Sequence, residues 1–123
     1  MYDITSRANG IKHYFSTIEE FNSFSLRFPG ERELEIVGDK VLIKMTVDRF
    51  YPDITVTFKS LLTNEQISLV QVLTDRELFG KRLFSTNEIQ FIESINDEIE
   101  KEVIGLILTI KKCCLDLFEG HFK

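Results

Sequence analysis

The chain has no tryptophan, only two prolines and only two cysteines among its 123 residues, and no long apolar run. Each shortage excludes something. With no proline- or glycine-rich tract, internal repeat or low-complexity stretch, nothing marks a linker, and one domain over 1–123 is expected. Cys113 and Cys114 are adjacent in a segment that reads as helix. Successive helical side chains diverge by about 100°, so the two thiols are poorly placed for a disulfide with each other. Two cysteines with no second pair make no zinc site, and a reduced, cytoplasmic setting is the expectation. The longest apolar stretch, residues 103–108, is far short of a bilayer span. Residues 1–5 lack a charged segment followed by an apolar run, so neither a secretory leader nor membrane association is expected. Lys111-Lys112 before the cysteines is the one hint of a lipid-facing helix, and it is outweighed.

Basic charge is also scarce. Fifteen lysines and arginines against twenty acids leave a net charge of −5, which argues against general nucleic-acid binding. The acids form no long runs, so a DNA mimic is not indicated either. Catalytic groups are equally thin. His13 and His121 are the only histidines. No serine or cysteine occupies a strand–turn–helix elbow, and there is no glycine-rich phosphate loop. The pairs Glu19-Glu20 and Glu100/Glu102 read as solvated helix faces. No enzyme, cofactor or metal site is therefore expected.

What the chain does have is phenylalanine, eleven in all, and an ordinary apolar fraction of 43%. That is enough for a core, with one or two rings left over for a binding surface. Asn9-Gly10 punctuates a polar start over residues 1–10. Residues 11–15 alternate as a short edge strand would. Ser16, three before Glu19, has capping-box spacing, and Ile18, Phe21, Ser25 and Phe28 suggest a helix ended by Pro29-Gly30. Strand-like runs follow at residues 33–37, 40–47, 54–59 and 67–73. Gly38-Asp39 reads as a two-residue hairpin connection, residues 49–53 as a turn, and Thr63-Asn64-Glu65 as the next. The expected fold is α+β: a four- to five-stranded antiparallel meander with an N-terminal helix and a long C-terminal helix packed on one face.

The last third carries two interleaved series seven residues apart: Ile89, Asn96, Val103, Ile110, Leu117, and Ile92, Ile99, Leu106, Cys113. Eight of these nine are apolar, the pattern of a helix wanting a partner along its length. Ser85 or Thr86 can cap it, with Glu88 in its first turn. One helix over residues 86–118 would be about 50 Å long. A domain of this size is about 35 Å across. Either it bends at Gly105 or it pairs with another copy, giving a homodimer or higher homo-oligomer. The seam would be Asn96, Val103, Leu106, Ile110, Cys113 and Leu117.

Two segments combine aromatics with arginine. Residues 76–84 hold Arg76, Leu78-Phe79, Arg82 and Leu83-Phe84 around Gly80. Mobile connections of that composition form binding hot spots. The plain alternative is that these residues tuck under the helix, and exposure of either ring decides. Arg49, Phe50 and Tyr51 repeat the composition at a turn. The expected function is binding to another protein by occlusion through Phe79, Arg82, Phe84, Phe50 and Tyr51. By analogy of style, immunity proteins, antitoxins and phage-encoded inhibitors of defence act so. A second expectation is sequestration of a small anionic ligand such as a nucleotide by Arg49, Arg76 and Arg82 at a subunit interface. A third is a structural assembly component.

Overall fold

A computed structural model describes residues 2–122. The centre is a five-stranded antiparallel sheet in sequential order: β1 (Ser25–Gly30), β2 (Glu33–Val37), β3 (Val41–Val47), β4 (Ile54–Ser60) and β5 (Gln66–Ser68). Helix α1 (Ala8–Ser16) precedes it; α2 (Leu69–Asp75), α3 (Thr86–Glu93) and α4 (Glu98–Cys113) follow, with a 3₁₀ turn at Leu115–Glu119. This is the α+β meander with an N-terminal helix and a long C-terminal helix.

Strict alternation makes the sheet. Leu34, Ile36, Ile43, Met45, Val56 and Phe58 point to one face and are buried. The register aligns them, Ile36 beside Ile43 beside Phe58. The opposite face is Glu35, Lys44, Thr57 and their neighbours, wet and cross-linked by Arg27–Glu35 and Lys44–Glu33. Ile11 and Phe15 from α1, Ile99, Val103, Ile107 and Ile110 from α4, and Leu117 close the apolar face. Burying such a side chain contributes about 1.5–3 kcal/mol.

Several local expectations are corrected. Residues 11–15 are not an edge strand but the body of α1, because Ile11 and Phe15 are one helical turn apart and both are buried. The helix expected from Ser16 to Phe28 ends where it was to begin. Phe21 closes a 3₁₀ turn, and residues 25–30 are β1, an edge strand that tolerates Pro29. The polar start is helical from Thr5 onward; Met1 lies outside the described residues. The hairpin turn shifts by one residue: Gly38 N–H donates to Val41 C=O at 2.9 Å, so Asp39-Lys40 form its tip. Of the fourth run only Ile67 and Ser68 pair as strand, joined by Gln66 in β5. Ser68 then caps α2, accepting from Gln71 N–H at 3.0 Å.

The 50 Å rod does not exist. The chain breaks at Ser94–Asp97, and α4 is sixteen residues, about 24 Å. Asp97 makes the break: its carboxylate accepts from Glu100 N–H at 2.8 Å and pairs with Arg7 at 3.1 Å. The helix continues through Gly105 without a break. Val103, Ile110 and Leu117 are spent on the chain's own core. Leu106 and Cys113 are half-buried against it, and Asn96 is exposed in the break. The seam that was to pair copies is largely interior, and the length mismatch that called for a second subunit is gone.

Candidate functional site

Helix α3 has no buried residue. Its start is well made: Ser85 accepts from Glu88 N–H at 3.2 Å while Glu88 accepts from Ser85 N–H at 2.7 Å, a capping box. It is fastened at its rim. Lys112 of α4 pairs with Glu88 at 2.6 Å, Lys101 pairs with Glu93 at 3.6 Å, and Phe91 stacks on Tyr14 of α1 with centroids 5.4 Å apart. The Lys112 hydrogen bond, helped by the Ser85 amide, holds the Glu88 carboxyl below its usual range.

A hollow lies on each flank of α3. On the Ile89 side, a cavity of about 330 Å³ is lined by Leu73, Leu78, Phe79, Leu83, Phe84 and Thr109, with Lys81 and Arg82 at its edge. On the Phe91 side, one of about 500 Å³ lies against Gly10, His13, Tyr14, Thr17, Ile95, Glu100 and Ile104. Phe79 is 58% exposed, Phe91 44% and Ile89 38%.

The connection before α3 is braced. Leu78 N–H donates to Leu73 C=O at 2.9 Å. Arg82 donates to Phe84 C=O at 3.3 Å and to Thr86 Oγ1 at 2.8 Å. Glu77 is left-handed at φ 54°, an uncommon conformation for a side chain of that kind, beside Gly80 at φ 76°. Phe79 is therefore presented to solvent, while Phe84 and Leu83 are half-buried. Of the two Leu-Phe pairs only Phe79 is displayed, Leu78 being half-buried as well.

No family model matches the chain, nor does any curated protein or solved structure.

The other expected residues fall elsewhere. Phe50 and Tyr51, 72% and 64% exposed, ride the β3–β4 turn and line neither hollow. Their turn is closed by hydrogen bonds: Asp48 Oδ1 accepts both of their amide protons, at 2.8 and 3.1 Å, and Asp48 N–H donates to Asp53 C=O. Arg49 lies 5.8 Å from the Phe50 ring centroid. The three arginines do not form one anion site. Arg76 is committed to Asp116 and the Cys113 carbonyl, and Arg82 to the loop it braces. Arg76 in turn holds the Asp116 carboxyl low. Cys113 and Cys114 are free, and burial pushes the Cys114 thiol up to about 12. Among the described residues no group of three His, Cys, Asp or Glu is placed to hold a metal, and no helix is long and apolar enough to cross a membrane.

Of the residues that line the two hollows, the sequence singled out Phe79, Arg82 and Phe84 as binding candidates, and it did not single out Tyr14, Phe91, Gly10 or Glu100. Spacing carries no signal for them, because the Phe91-side hollow joins α1 to α3 and α4 across most of the chain.

Proposed function

We propose that this chain is a non-catalytic binding protein that works by covering a surface of another protein, and that α3 with the connection before it is the docking face. One observation carries the reading. Phe79, Ile89 and Phe91 stay exposed on a capped helix and braced loop that are held by ion pairs and a ring stack rather than by burial. Leaving large apolar side chains in water has a cost that association recovers. The hollow beside Phe79 and Ile89 receives side chains of a partner, and Arg82 and Lys81 supply a charged rim.

The Phe50–Tyr51 turn has the same composition but lines neither hollow beside α3, which supports an accessory contact at most. Burial of the α4 seam supports a partner other than a second copy. The separate commitments of Arg76 and Arg82 weigh against a nucleotide sink.

Affinity capture from the cells that make this chain tests the reading, comparing the native chain with the double variant Phe79→Asp, Ile89→Asp. The expected result is one stoichiometric partner with the native chain, lost in the variant although its melting transition is kept. Retention of the partner by the folded variant would overturn the assignment.

A further inference from the structure

The Phe91-side hollow differs in chemistry from the rest of the docking face. Its walls are the Tyr14 and Phe91 rings with Ile95 and Ile104, His13 and Thr17 add polar groups, and its one acidic group is the Glu100 carboxylate. Glu100 is half-buried, and among the described residues its carboxylate accepts no hydrogen bond and forms no ion pair. Gly10 makes room for it: a Cβ at position 10 would collide with Glu100 Oε1. Glycine inside a helix costs about 1 kcal/mol relative to alanine, so α1 forgoes stability at the point where the carboxylate passes.

We infer that this hollow binds a small organic cation with an apolar body, an aryl- or alkylammonium, whose charged end meets Glu100 and whose body lies along Tyr14, Phe91 and Ile104. Three features select that class. The volume, about 500 Å³, is that of a small-molecule site and exceeds what one inserted side chain fills. The lining is mostly apolar, with a neutral His13 imidazole and the Thr17 hydroxyl beside one carboxylate, which complements one positive charge and repels a carboxylate or phosphate. Aromatic walls, here exposed Phe91 and half-buried Tyr14, attract cations through their ring quadrupoles. The site shares Phe91 with the proposed docking face, but its test needs no partner protein.

The test is titration of the ¹⁵N-labelled chain with 4-phenylbutylamine, and with 4-phenylbutanol and 4-phenylbutyrate as uncharged and anionic controls. The amine is expected to shift the amides of Gly10, Tyr14 and Phe91, to bind roughly fivefold tighter than the alcohol, and to leave the carboxylate undetected. Glu100→Gln should reduce the amine to the affinity of the alcohol. Gly10→Ala should do the same by displacing the carboxylate, with melting unchanged or raised, which separates loss of the site from loss of the fold. Equal affinities for the three probes, indifference to Glu100→Gln, or shifts confined to other residues would each overturn the inference. So would tighter binding of a blocked lysine peptide than of the amine, because it would assign the hollow to a protein side chain.

Discussion

Ile89 and Phe91 are two residues apart on α3 and line hollows on opposite flanks of it. A helix advances about 100° per residue, so positions two apart face nearly opposite ways. Neither side chain is buried, although α3 is capped and fastened at both rims. A helix held by its edges is the natural place for surface that another molecule covers.

Exposure on this face predicts mutational tolerance. Phe79→Ala and Phe50→Ala should each change stability by less than about 0.5 kcal/mol. Phe58→Ala, in the centre of the sheet, should cost about 3–5 kcal/mol. Urea unfolding of the three variants checks this. A large loss at Phe79 would place that ring in the core.

The break before α4 depends on Asp97. Asp97→Ala removes a cap and the Arg7 pair, and should cost about 1–2 kcal/mol. If residues 86–118 were one helix, an alanine there would raise stability instead, since alanine is the better interior helix former.

Acid should weaken two fastenings. Hydrogen bonds from Lys112 and Arg76 hold Glu88 and Asp116 below their ordinary values of 4.5 and 3.8. A carboxyl lowered in the folded chain contributes stability that is fully present above its unfolded pKa and is lost as pH falls through the folded one. Melting temperature should therefore drop below about pH 4.5. The drop should be shallower in Lys112→Met and in Arg76→Met. Identical pH profiles for all three chains would refute the coupling.

Thiol chemistry should divide the cysteines. Burial raises both, Cys114 to about 12, so at pH 8 neither is appreciably thiolate. Iodoacetamide should label half-buried Cys113 slowly and Cys114 only on unfolding. Prompt labelling of Cys114 in the folded chain would contradict its place in the core.

Legibility in the sequence followed the physics of each element. β2 to β4 were readable because one face is dry and one wet, so period-two alternation is unbroken. The Ser85 cap was readable because its partner Glu88 is local. The N-terminal third misled because Phe21, Phe24 and Phe28 are spaced like a helical stripe while serving a 3₁₀ turn and an edge strand. Residues 67–73 are apolar on both sides, which suits strand and helix alike. In the last third the seven-residue series ran across Ser94-Ile95-Asn96-Asp97, whose polar, capping residues were the better guide. Phe79 and Arg82 stood out by composition, and both line the Ile89-side hollow. The Glu100 hollow was not, because its members meet only through tertiary packing.

The docking face is tested most directly by site-specific photo-crosslinking in the cells that make this chain. The photoreactive residue is placed in turn at Phe79 and Gln90, and at Thr46 and Thr57 on the wet face of the sheet. The expected result is one discrete adduct of the same mass from positions 79 and 90 and none from 46 and 57. Adducts only from the sheet face, or none from α3 and its connection, would contradict the account.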